Sequence, residues 1–156
     1  PMINARSETV SEKPTFRDSF RYRRCLVPAT GFYEWQRADG AKKPYVIRIQ
    51  DVPVYAMAGI WSQWRGPEGI TETFSILTTM AAPKIQPIHE RMPVILHPDT
   101  YGLWMNPQSG RDQLLSLCRP VPDEVLTIEM VSDRVNSARH DDPGCEAAPA
   151  HQHRLL

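Results

Sequence analysis

Glycine is sparse in this sequence, at 8 of 156 residues, and proline at 15 outnumbers it almost two to one. A chain punctuated by so many rigid turns disfavours long helices, helical bundles and sheets of uninterrupted long strands. Cysteine is also scarce: Cys25, Cys118 and Cys145 form an odd set with no close pair, which fits reduced thiols and excludes a disulfide framework. No apolar run approaches the roughly 20 residues a membrane helix needs, and no basic-then-apolar leader opens the chain, so no membrane partner and a cytoplasmic or nuclear compartment are expected. Neither sign of charge dominates, with 18 Lys plus Arg against 18 Asp plus Glu, which excludes a histone-like protein and an acidic disordered chain. Missing too are a glycine-rich phosphate loop, a G-x-S-x-G elbow, an H-E-x-x-H pair and any internal repeat.

What is present is one domain's worth of ordinary globular composition, 41% hydrophobic and 23% charged, with its charge unevenly placed. Residues 1–48 carry a balance of +5 and residues 49–156 a balance of −5, so anions are expected to meet the first third. Thr15 suits the start of a short helix that puts Phe16 and Phe20 on one face. Arg17, Arg21, Arg23 and Arg24 fall on its other faces, either as a solvated surface or as an anion-binding one. CLVP, GFYEWQR, PYVIRIQ, VYAMAGIW and ETFSILTT read as strands, with Asp39-Gly40 marking a hairpin, and together predict an antiparallel meander over residues 25–79. Four prolines within residues 82–98 predict an extended, irregular segment crossing the sheet. Helix is expected again over 97–105 and 110–118, a final strand over 125–131, and a loosely packed tail over 138–156. The fold class is therefore α+β: a curled, mostly antiparallel sheet with short peripheral helices.

Three places could carry chemistry. Asn4 and Arg6 sit together near the start. Glu34 lies between Tyr33 and Trp35, in a strand where Phe32-Tyr33-Glu34-Trp35 cannot alternate cleanly; it faces either solvent, as an ordinary strand glutamate, or a cleft whose aromatic walls raise its pKa toward general acid–base work. His89 precedes Arg91 in a segment braced by Pro87 and Pro93, and is either a structural histidine or a rigidly positioned proton carrier beside a phosphate-binding arginine. His140, Asp141, Asp142, Cys145, His151 and His153 match no zinc spacing, so no metal is expected, nor any other cofactor. Cys25, inside an apolar run, reads as core.

The strings INARSET, KPTFRDSFRYRRCLVPATGFYEW, FSILTTMAAPKIQPIHERMP and VSDRVNS closely resemble the SOS-response-associated peptidase (SRAP) family, in family order over residues 2 to 137. The resemblance implies a protein that shields abasic sites in single-stranded DNA. A cysteine exposed at the N-terminus attacks the open-chain aldehyde of the abasic deoxyribose, and its thiol and α-amine close a thiazolidine, a stable DNA–protein crosslink; self-removal of a leader residue goes with it. Carried over by motif position, the catalytic residues are Asn4, orienting the nucleophile or sugar, Glu34, shuttling protons during Schiff-base formation, and His89, assisting proton transfer at the sugar and reversal. Arg6 and Arg91 would be phosphate contacts and Trp35 a base-stacking aromatic. The family's N-terminal cysteine and its WG-x-IP block are not in this chain, and an intact protein of about 225 residues is expected. Residues 1–137 would form the SRAP-like domain and 138–156 its tail, in a monomer. A thiol peptidase acting on other proteins and a non-catalytic single-stranded DNA module are the alternative functions.

Overall fold

The computed structural model describes residues 2–38 and 40–149. Its elements in chain order are β1 (Asn4–Arg6), α1 (Pro14–Tyr22), β2 (Arg24–Ala29), β3 (Phe32–Ala38), β4 (Ala41–Ile49), β5 (Tyr55–Gly66), β6 (Gly69–Met80), β7 (Arg91–Pro93), β8 (Ile95–Leu96), α2 (Tyr101–Met105), α3 (Arg111–Ser116) and β9 (Leu126–Met130). The fold is α+β, with a mixed sheet, a smaller second sheet and few, short helices. Among the described residues β1, β6, β5 and β2 lie side by side in that order, β1 parallel to β6 and the other pairs antiparallel, with β7 extending β6 and β8 extending β5. The second sheet runs β3-β4-β9.

Residues 25–79 are thus not one meander. The β3–β4 and β5–β6 hairpins form locally, but β2 pairs with β5, and the β3–β4 hairpin leaves to pair with β9. Chain reversals at Thr30-Gly31 and at residues 50–54, where Asp51 adopts φ +59°, move the hairpin into a second layer. At the first reversal a Cβ on Gly31 would stand 3.2 Å from the Ile47 carbonyl oxygen, so a small residue suits the crossing. Between β3 and β4, Gly40 has φ +76°; Asp39, the other half of the hairpin signal, lies outside the described residues.

The larger sheet is covered on both faces, which is why β5 is buried at six successive positions from Tyr55 to Ile60. Ala58, Ile60, Leu77 and Ala5 face the helices and meet Phe16, Phe20, Trp104 and Leu114. Met57, Val27 and Ile76 face the smaller sheet and meet Ile47, Phe32, Ile85 and Leu126. Helix α1 begins two residues earlier than a cap at Thr15 predicts, since Lys13 occupies the cap and Pro14, whose missing N–H costs nothing there, opens the first turn. Arg24 is buried, not on a solvated face: Nε donates to the Trp104 carbonyl, Nη1 to those of Phe20 and Arg21, and Nη2 to that of Asn106, all within 2.8 Å. It satisfies the carbonyl ends of two helices at once, and burial lowers its pKa.

Residues 83–88 form tight turns and not the expected extended crossing. Amide N–H groups of Ile85, Gln86, Ile88 and His89 donate back to carbonyls three or four residues earlier, and Ile85 is fully buried. Pro83 and Pro87 punctuate these turns at positions where no donor is required. Of the segment 138–156, residues up to 149 are described, and these pack more closely than a loose tail: Cys145 is buried, the Ser132 amide donates to the Ala147 carbonyl, and Arg48 pairs with Glu146 at 2.6 Å.

Candidate active site

Where the smaller sheet stops covering the larger one, a cleft of about 530 Å³ opens between the two layers. Its apolar floor is Val27, Met57 and Ile76 from the larger sheet, with Phe32 from β3. Five residues singled out in the sequence line it: Asn4 and Arg6 from β1, Glu34 from β3, His89 at the end of the proline-braced turns, and Arg91 from β7. The parallel pairing of β1 with β6 places Asn4 opposite Ile76 and Arg6 opposite Thr78, so both point to the same face of the sheet. Thr78 is itself a wall residue that sequence reasoning missed, because a threonine within a strand carries no signal beyond β propensity.

Glu34 belongs to the face of β3 that looks into the cleft, with its side chain 19% exposed, and its Oε1 lies 3.7 Å from His89 Nδ1. That separation exceeds a hydrogen bond but couples the two charges. Burial raises the Glu34 pKa above its usual value, while the charge of His89 and the backbone amide of Trp35 pull it down without cancelling the rise. His89 Nδ1 lies 3.0 Å from the Arg91 carbonyl oxygen and 3.1 Å from its backbone nitrogen, so the strand holds the imidazole whether Nδ1 donates or accepts. A carboxyl biased toward its protonated form beside an imidazole can give and take a proton at neighbouring atoms.

Trp35 is not among the residues lining this cleft. Adjacent strand residues point to opposite faces, so Glu34 facing inward sends Trp35 outward; the Tyr33 ring stands 6.3 Å from that of Trp35, and Tyr33 also contributes to the cleft lining. Tyr33 Oη donates to Glu146 and Trp35 Nε1 to Asn136 Oδ1, so both aromatics are tethered to the C-terminal segment. Arg91 is at the cleft wall but is not free: a bidentate pair holds it to Glu8, a second residue that sequence reasoning missed. Arg6 is exposed, and among the described residues no ion pair involves it. Arg17 and Arg21 line a separate groove with Arg111.

Among the described residues no cysteine or lysine lines the cleft. Burial raises the pKa of Cys25, pushes that of Cys118 up to about 12, and Cys145 is buried beside the His140 carbonyl, so none is disposed to act as a nucleophile there. Among the described residues no group of three or more His, Cys, Asp or Glu is placed to hold a metal ion; His151 and His153 lie outside them. No helix of the described residues is long and apolar enough to cross a membrane.

The structure is an α+β scaffold with a carboxyl–imidazole pair in an arginine-bearing cleft. The profile described as SOS response associated peptidase (SRAP) matches residues 1–138, and the chain belongs to that family. Similar to it are the abasic site processing protein YoqW of Bacillus subtilis, 41% identical over 145 residues that make up 91% of this chain and 65% of the relative, and the abasic site processing protein HMCES of Xenopus tropicalis, 33% identical over 93% of this chain and 49% of the relative. A crystal structure of a protein from Bacteroides thetaiotaomicron superposes with a TM-score of 0.87 at 34% identity, covering 93% of this chain and 65% of that one. The chain therefore spans between about half and just under two thirds of the length of these relatives.

Proposed function

We propose that this chain carries the DNA-holding and proton-transfer part of an abasic-site processing protein acting on single-stranded DNA in the cytoplasm, at the nucleoid. The observation that carries the reading is the Glu34–His89 pair, 3.7 Å apart in a cleft that also presents Asn4, Arg6 and Arg91. The names of the relatives in Bacillus and Xenopus support the choice of substrate.

Abasic deoxyribose in its open form presents an aldehyde. In the family's chemistry an N-terminal cysteine supplies the α-amine that adds to the aldehyde carbon, giving a carbinolamine, and loss of water then gives a Schiff base. The thiol of the same residue adds to the C=N carbon and a proton moves to nitrogen, closing the thiazolidine. Water leaves as a neutral molecule only if the departing oxygen receives a proton, and a carboxyl with a raised pKa is suited to deliver it. Glu34 takes that role, His89 handles the proton at the sugar oxygen and the reverse reaction, and Asn4 orients the reactants with its amide. Arg6 and Arg91 meet the flanking phosphates. The same nucleophile would be exposed when a leader residue is removed by the protein's own peptidase activity. Residues 1–137 carry this work, with 138–149 bracing β3 from behind.

The test has two parts. The chain should bind single-stranded oligonucleotides carrying an abasic site more tightly than the same sequence as a duplex, measured by fluorescence anisotropy. A protein in which the family's N-terminal block and cysteine precede this chain should convert that oligonucleotide to a species retained on a denaturing gel. Equal affinity for duplex, or no retained species, overturns the reading.

A further inference from the structure

Arg91 has its side chain only 12% exposed, and most of its donors are already engaged. Nη1 donates to Glu8 Oε1 and Nη2 to Glu8 Oε2, both at 2.8 Å, a fork-to-fork pairing. Nη2 donates again to the Thr78 carbonyl at 2.7 Å, with Thr78 Oγ1 at 3.2 Å. The same carbonyl accepts the Ser7 amide at 2.9 Å, so the turn after β1, strand β6 and strand β7 are stitched together at one point. A guanidinium owns five N–H groups. Three are used here, the Nε N–H is buried without a partner, and one N–H on Nη1 is left over on a residue that lines the cleft. The contact with Arg91 also holds the Glu8 carboxyl below its usual pKa, so the pair stays charged at neutral pH.

We propose that Glu8 is a positioning residue for Arg91: its carboxylate locks the guanidinium end-on into the β1–β6–β7 junction, so that the remaining Nη1 N–H stands as a fixed donor for one phosphate oxygen. This rests on the reading above that the cleft holds single-stranded DNA. A free arginine gives up rotamer freedom when it takes a phosphate, and a clamped one has already done so. Arg6, exposed in the same cleft without an ion-pair partner, supplies the mobile charge, and Arg91 supplies the register.

Glu8 carries a negative charge, so the competing view is that it merely repels DNA; the two views predict opposite signs. Binding of the chain to a single-stranded oligonucleotide is measured by anisotropy over a range of salt concentrations, for the wild type, Glu8→Gln, Arg91→Gln and the double variant, with melting temperatures alongside. The wild type must first show affinity that falls with salt; if it does not, the DNA reading fails whatever Glu8 does. Given that binding, Glu8→Gln should weaken it about 3- to 10-fold, the scale of one charge-assisted hydrogen bond, and make the log–log salt slope shallower by about 0.7, one phosphate's worth. In the Arg91→Gln background Glu8→Gln should weaken nothing further. Arg91→Lys, which keeps the charge but cannot pair as a fork, should behave like Glu8→Gln. Should Glu8→Gln fail to fold, Glu8→Asp, with the carboxylate drawn back by one methylene, is read the same way. Tighter binding by the same factor in both backgrounds, or a lowered melting temperature with unchanged affinity and slope, overturns the proposal.

Discussion

Glu34 is a carboxyl held at the edge of water, and its placement works against stability. Because burial raises its pKa in the folded state, the folded protein favours the protonated form. The associated stabilisation is complete below the unfolded value of 4.5 and is lost as pH rises through the folded value. Glu34→Gln keeps the shape and a hydrogen-bonding amide but cannot ionise. Its melting temperature should therefore exceed the wild type's at neutral pH, with the difference shrinking toward zero below about pH 4, as calorimetry across that range would show. The same substitution should slow adduct formation in a protein carrying the N-terminal cysteine while leaving noncovalent DNA binding nearly unchanged, a split that separates proton transfer from packing. A variant that loses stability at neutral pH would mean that the ionised carboxylate is held by partners stronger than His89.

At the scale of elements, the contact between β2 and β5 sets the cleft floor. Gly59 sits opposite Cys25 in that ladder, and a Cβ there would stand 2.7 Å from Cys25 Sγ and 2.8 Å from Val27 Cγ2. Neither neighbour is a long flexible chain that can swing aside, and Val27 is itself part of the floor. Gly59→Ala should cost about 1–3 kcal/mol by overpacking, measured by urea unfolding. The other junction is Arg24, which closes the C-terminal ends of α1 and α2 through four carbonyl acceptors. Arg24→Met preserves much of the volume but strips those acceptors of their donor in a dry place. A loss of about 3 kcal/mol is expected on thermal or chemical unfolding, and a neutral result would mean that water reaches the helix ends.

For the whole molecule, neutrality conceals a division of labour between the two faces of β3. Glu34 faces the cleft, while Tyr33 Oη and Trp35 Nε1 reach Glu146 and Asn136, so the C-terminal segment buttresses the strand that holds the carboxyl. Among the described residues the cleft lining presents a carboxyl, an imidazole and guanidinium groups but no cysteine and no lysine. The 156-residue chain mixed with abasic single-stranded DNA should accordingly give no adduct that survives denaturation without chemical reduction, read on a denaturing gel. A stable adduct would assign the nucleophile to a residue of this chain and remove the need for an N-terminal cysteine.

The sequence by itself determined whatever depends on neighbours along the chain. Proline frequency and period-two runs gave the α+β class; the local hairpins β3–β4 and β5–β6 followed from turn chemistry. The INARSET, GFYEW and PIHERMP strings supplied the residue types of the candidate site. Only the tertiary structure decided which strands pair across long gaps, since a period-two pattern says that a strand has two faces but not which neighbour covers each. That is why the predicted meander became two layers and why the Glu34 face of β3, and not the Trp35 face, meets the cleft. It is also why Arg24 could not be told from the exposed arginines of α1, and why Glu8 could not be matched to Arg91. Both depend on partners some 80 positions away, brought into reach only when the sheet closes.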